Sequence, residues 1–378
     1  MHQVRLAVLI VSICVYVPAG ATDIPKKVGA DELIQIVAAA QSMPDADLAK
    51  KLTGVVLTDR LSGTRLADLT SRLPGDKSRL ALMLIADQSI FLPPPPDEMP
   101  LDAPNAASAQ QMLLKVVKYV NATVRQLPNL MALRFSNGFE DQPRLESMGR
   151  TGVESTFYLP LHWVGSLKVE VTYRDRQETE DKSVKVEKKG NGVGGLITRG
   201  EFGPILSIVL ADALKGKLAW THWEKGSDAT LAVFHYQVQE DKSNYHLEFC
   251  CILGGYDIDG RPKMQLSNER SAYHGDIVFS PADGSIRRLT VEADVPAGAL
   301  VSAAGIAVEY APTDIGGRSY ICPVRSVSML RAHTAQQGGA VAGSNYKGPA
   351  KSFLNDVTFS NFRRFGSETK VLTNLPKG

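Results

Sequence analysis

The sequence predicts an α+β protein: an N-terminal helical region followed by a large, curved, half-barrel-like antiparallel sheet with one helix packed on it. Three observations carry this expectation. Apolar residues recur at helical spacing up to about residue 127, they alternate with period two from about residue 131, and short turns join the second set of segments, which suits antiparallel rather than parallel pairing.

The chain of 378 residues opens with His2 and Arg5, an apolar run from Leu6 to Val17, a breaking Pro18, and the small-x-small sequence Ala19-Gly20-Ala21. That pattern predicts a cleavable leader over 1–21 and an exported product, periplasmic or secreted. The apolar run is roughly a dozen residues, short of the ~20 that a spanning helix needs. Cys14 follows Ile13 inside the run instead of standing at the cleavage point, so no lipid anchor is expected. Of 42 basic residues the leader holds only Arg5, and the chain has 40 acidic ones. The remainder is therefore nearly neutral and offers no electrostatic footprint for nucleic acid. Its length suits two domains.

Within the helical region, 22–91, Asp31 precedes Leu33, Ile36 and Val37, and Ser42 with Pro44 precedes Leu48 and Leu52. Ser62 then opens a stripe of Leu66, Leu69 and Leu73 that Pro74-Gly75 ends, and Asp76 begins another with Leu80, Met83 and Leu84. Four consecutive prolines, Pro93 to Pro96, predict an extended, stiff spacer over 92–105. Leu113, Val116, Val117, Val120, Val124 and Leu127 then mark a long amphipathic helix within 106–130 that Pro128 stops.

The β domain is placed at 131–366. Leu167, Val169, Val171 and Tyr173 alternate with polar residues, and strand-like runs follow near 217–224, 229–240, 245–252, 272–280, 285–294, 304–311, 318–331 and 354–363. One helix, 201–215, interrupts them, with Pro204 in its first turn and Gly216 past its end. Residues 367–378 read as a tail.

Cysteine usage permits a disulfide in an exported protein. Cys322 can pair with Cys250 or Cys251. Leu247, Phe249 and Cys251 share one strand face, which favours Cys251 with Cys322, while burial of all three as small apolar residues is the competing account. No spacing of Cys or His matches a zinc site or redox motif, and no metal or other cofactor is expected.

Gly190, Gly192 and Gly195 fit the GxGxxG spacing, but Leu196 to Arg199 intervene where a phosphate-binding helix should start, so a hairpin connection accounts for them better. Tyr256 to Gly260 contains a DxDG fragment without the remaining calcium ligands and reads as a tight turn. The histidines His162, His222, His235, His246, His274 and His333 stand singly. No G-x-S-x-G occurs, and Ser367 to Lys370 is an S-x-x-K in the tail, so no catalytic residues are assigned. Trp220 and Trp223 differ by an odd step, which in a regular strand sends them to opposite faces, one core and one exposed or turned to a ligand. With Phe234, Tyr236 and Phe202 they are the candidate ligand-binding residues, against a plain core role.

The segments FEDQP, GEFGPIL, LAVFHYQV, AYHGDI and YICPVRSV together resemble an uncharacterised family of exported bacterial proteins over about 61–365. That resemblance implies no activity and transfers no catalytic residue. At the level of fold alone, the order of elements is similar to the half-barrels of periplasmic lipoprotein carriers, which implies an apolar cavity for acyl chains. The expected function is therefore a non-enzymatic exported protein binding an apolar ligand such as a lipid. The alternatives are an envelope interaction or sensory module, with an envelope protein as partner, and a hydrolase whose site assembles only in three dimensions.

Overall fold

The structure is a computed structural model describing residues 25–364, except 41, 100, 143–145, 150–151, 156–158, 181–184, 189–192, 227–228, 258, 260 and 338–344. The leader predicted over 1–21, the tail with its S-x-x-K, and two of the three GxGxxG glycines, Gly190 and Gly192, lie outside the described residues.

The elements run β1 (Lys26–Val28), α1 (Ala30–Ala39), α2 (Asp45–Thr53), β2 (Val55–Leu57), α3 (Gly63–Arg72), α4 (Asp76–Gln88) and α5 (Ala106–Gln126). Strands β3 (Leu130–Gln142), β4 (Glu146–Gly149), β5 (Gly152–Ser155), β6 (Leu159–Arg174), β7 (Gln177–Glu180), β8 (Lys185–Lys188) and β9 (Gly195–Leu196) precede helix α6 (Pro204–Ala213). The remainder comprises β10 (Lys217–Lys225), β11 (Thr230–Val238), β12 (His246–Tyr256), β13 (Pro262–Arg270), β14 (Tyr273–Phe279), β15 (Ile286–Ala293), β16 (Val301–Asp314), β17 (Ser319–Gln337) and β18 (Asn345–Arg364).

The helical region closes a core of its own. Leu33, Val37, Leu48, Leu52, Leu69 and Leu82 meet in one cluster, and the short parallel pair β1–β2, absent from the sequence reading, ties its beginning to its middle. The caps explain where its helices start. Ser62 Oγ accepts from Arg65 N at the head of α3. The first turn of α4 is capped from a distance by Asp45 of α2, whose carboxylate accepts from the backbone N–H groups of Lys77 and Ser78. Such an anionic acceptor satisfies the free donors of a helix start.

Eleven strands form the main open sheet, antiparallel in the order β10-β11-β14-β15-β16-β17-β18-β3-β6-β7, with β8 also on β6. The α+β expectation holds. A smaller sheet, β13-β12-β9, lies beside it. Period-two alternation divides the main sheet's residues between two faces, and each face is covered. On the inner face Phe234, Tyr236, Ile277, Leu289 and Ile306 pack against Val116 and Val120 of α5, against Leu206 and Val209 of α6, and against Phe249 and Ile252 of β12. On the outer face Phe139, Ala307, Val327 and Leu354 receive Leu84 of α4 and Ile90 just beyond it. The molecule thus has three layers. Two helices, not one, occupy the inner face, and the helical region covers part of the outer one.

Asp212 locks α6 in place. Wholly buried, it accepts from Tyr273 Oη at 3.0 Å and from Asn244 N at 2.7 Å and Nδ2 at 2.6 Å. Such donors offset much of the cost of burying the carboxylate.

Three expectations require correction or refinement. Cys322 is a free, fully buried thiol, so the Cys251–Cys322 disulfide does not form; it packs with Phe202, Val357 and Phe359 as a small apolar residue does. The proline segment is extended at Pro95, but it is a strap and not a free spacer: Arg60 N donates to Pro93 O at 2.8 Å, and Glu98 accepts from Ser62 Oγ at 2.8 Å and pairs with Arg65. The third concerns the tryptophans. Pairing of β10 with β11 passes from Trp220↔Phe234 to His222↔Val233, leaving Thr221 as a bulge. One extra residue restores the phase, so Trp220 and Trp223 share the inner face, their rings 6.2 Å apart.

Candidate functional site

Phe202, Phe234 and Tyr236 are core residues. Phe202 packs among Tyr173, Phe359 and Phe362, Phe234 lies 5.5 Å from Phe279, and Tyr236 is fully buried with its hydroxyl donating to Thr290 O at 2.6 Å. Trp220 and Trp223 are half-buried against the same core, and Trp223 Nε1 donates to Asp102 O of the strap. The structure brings Trp220, Trp223, Phe234 and Tyr236 to one side of the sheet and leaves Phe202 in a separate cluster. That side is occupied by α5 and α6, so a guest seated there would have to displace a helix of the chain itself.

His235 and His274 stand side by side, their ring centres 5.8 Å apart, while His162 and His246 have partners of their own. His235 Nδ1 lies 2.9 Å from Asp276 and His274 Nδ1 2.7 Å from Asp294, on the open outer face. His246 meets Asn268, and His162 meets the Pro160 carbonyl. The rings of His235 and His274 touch carboxylates but no hydroxyl among the described residues, so they make no acid–base–nucleophile chain there. Among those residues no group of three or more His, Cys, Asp or Glu is placed to hold a metal ion. Of the DxDG fragment, Asp257 and Asp259 are described, between β12 and β13, with Asp257 Oδ1 accepting from Asp259 N and Arg261 N.

A cleft opens between the helical region and the outer face of the sheet, with a volume of about 570 Å³, within the range of small-molecule sites. One wall comes from Arg60, the start of α3 (Ser62 to Ala67) and the end of α4 (Ala86, Asp87). The other comes from β10, β11, β14, β15, β16 and β17. Leu61, Leu66, Ile90, Leu231, Val278 and Val324 supply its apolar surface, and five cations, Arg60, Lys225, Arg287, Arg288 and Arg325, face three carboxylates, Asp87, Glu224 and Glu309.

Most of these charges are fixed. Glu224 takes both Nη atoms of Arg288, at 2.9 and 2.8 Å, and Arg60 at 2.7 Å. Burial alone would raise its carboxyl, but the two guanidiniums hold it down at about 2. Arg325 bridges Asp87 at 2.5 Å and Asp356 at 2.8 Å. Burial pushes Asp87 up to about 7 against the pull of Arg325, and the charge of Asp356 adds to the rise. Arg60–Glu224 and Asp87–Arg325 also fasten the helical region to the sheet.

Not every polar atom is used. Arg288 Nε and Asp87 Oδ2 are buried and without a hydrogen-bond partner, and Glu309 has no ion pair within 4.0 Å among the described residues. Buried orphans of this kind are costly when left unfilled. The cleft therefore presents an apolar wall, an enclosed donor, an enclosed acceptor and a surplus of positive charge.

A second buried set lies away from the cleft. Arg134 donates to Thr198 O and Oγ1 and to Glu180, and Glu201 sits 3.6 Å from it with no exposed surface. Burial and then the charge of Glu201 push Glu178 up to about 8. These groups hold the segment before α6 against β3 and β7, and none of them lines the cleft.

Comparison with known proteins adds nothing to this site: no family model, no curated protein and no solved structure matches the chain.

Proposed function

We propose that the chain is an exported, non-enzymatic binding protein that holds an amphipathic molecule of the acyl or lipid class, with an anionic head, in the cleft between the helical region and the sheet. One observation carries this reading: Arg288, enclosed among the strands, keeps an unpartnered Nε in a cleft where five cations outnumber three carboxylates. An anionic oxygen satisfies that donor, and the apolar surface of Leu61, Leu66, Ile90 and Val278 takes the body of the molecule. Export follows from the leader-like residues 1–21. The aromatic side of the sheet, where a half-barrel carrier would hold its guest, serves instead as the protein's own core.

Native mass spectrometry of protein purified from its own cell envelope tests this. The expected result is a bound amphiphile of defined mass, lost in an Ala67→Trp variant, because Ala67 lies exposed at the cleft wall and an indole there fills the space. Protein free of any small molecule, or an occupancy that Ala67→Trp leaves unchanged, contradicts the reading.

A further inference from the structure

The charges of the cleft are sorted. Around Glu224 stand Arg60 and Arg288, two cations to one carboxylate, with Asp276 near enough to act on both. Around Arg325 stand Asp87, Asp356 and Glu309, three carboxylates to one cation. Strand register sets the distance between the two groups: Arg288 pairs with Glu309, which pairs with Arg325. At ~4.8 Å between neighbouring strands, the positive and negative ends lie about one to two strand spacings apart, ~5–10 Å. Each end also keeps an unfilled buried atom of matching kind, the donor Arg288 Nε and the acceptor Asp87 Oδ2. The Asp87 side chain is 1% exposed and that of Arg288 12%.

Resting on the cleft as the ligand site, we infer that its ligand is a zwitterion: an anionic group against Arg288 and Arg60, and a primary ammonium against Asp87 Oδ2 and Glu309. A simple anion would fill the donor and leave Asp87 Oδ2 unanswered. An ammonium supplies three donors and a positive charge where the carboxylates are in excess. The raised Asp87 carboxyl reports the same excess, since Asp356 and Glu309 contribute to it after burial. A phosphoethanolamine-type head has both charges at a suitable separation, and the apolar wall beside it accepts an acyl chain.

Calorimetric titration of the full chain with two lysolipids of one chain length separates the possibilities. Lysophosphatidylethanolamine carries the ammonium, and lysophosphatidic acid lacks it. The expected result is at least tenfold tighter binding of the first. In Glu309→Gln, which breaks no ion pair, that preference should shrink several-fold through weaker binding of the ethanolamine lipid alone. Equal or tighter binding of the acid lipid, or a preference that Glu309→Gln leaves intact, overturns the zwitterion while the cleft survives as a site. Binding of neither lipid nor of soluble O-phosphoethanolamine overturns the zwitterion and the cleft reading together. Saturable binding of O-phosphoethanolamine alone supports the charge arrangement and assigns the source to a free head group. Binding of the ethanolamine lysolipid alone supports it and assigns a lipid.

Discussion

Glu224 joins two guanidiniums from different layers, and its side chain is 6% exposed. Removing its charge leaves Arg60 and Arg288 buried and unpaired, so Glu224→Gln should cost about 3–5 kcal/mol, measured by urea unfolding at neutral pH. Acid acts on the same group. Its folded-state pKa of about 2 lies below the unfolded value, so its contribution is complete above the unfolded pKa of about 4.3 and fades as pH falls toward 2. Asp87 behaves oppositely. Its pKa of about 7 lies above the unfolded value, so its effect on stability is most favourable below about 3.9 and is lost as pH rises through 7. Asp87→Asn should therefore flatten the decline in stability between about pH 4 and 7, read from unfolding midpoints across that range. Cys322 provides a third residue-scale check: burial pushes its thiol up to about 12. Iodoacetamide should leave it unmodified in the folded protein at pH 8 and alkylate it in denaturant, whereas alkylation of the folded chain would contradict its placement.

Elements were legible in the sequence to the extent that their signals are local. Ser62 and Pro204 marked helix starts because caps and first-turn prolines act within one turn, and the alternation in β6 marked a half-buried strand; α4 begins at Asp76, but its cap comes from Asp45 far along the chain. Local signals fail where a partner decides. Nothing near Thr221 announces a bulge; the pairing with β11 creates it, and it reverses the expected direction of one tryptophan. Strand β13 escaped because Met264 and Leu266 are exposed, so its pattern does not follow burial. The β1–β2 pair joins three-residue segments too short to show a period. Glycine at 275 is another requirement set by neighbours. Tyr236 pairs with it and sends its hydroxyl across to Thr290 O, while a Cβ on residue 275 would stand 2.0 Å from that oxygen and 2.8 Å from the hydroxyl. Gly275→Ala should thus destabilise the protein by about 3 kcal/mol, at the upper end for overpacking. A loss below about 1 kcal/mol in urea unfolding would contradict this packing of β11, β14 and β15.

At the scale of the whole molecule, the cleft depends on two chain regions meeting across the outer face. Arg60 and Asp87 come from the helical region, Glu224, Arg288 and Arg325 from four different parts of the chain's second half if Glu309 between them is included. Each is an ordinary surface charge when read in sequence, and only the strand order brings them together. The aromatic residues, more conspicuous in sequence, went instead to the inner core, as large apolar groups commonly do. The central claim, that the ligand lies between the helical region and the outer face, is tested most directly by amide hydrogen exchange of the full chain with and without saturating lysophosphatidylethanolamine. Protection should concentrate at the start of α3, the end of α4 and the facing stretches of β15 to β17. Protection confined to α5, α6 and the inner-face strands, or none at all, would contradict it.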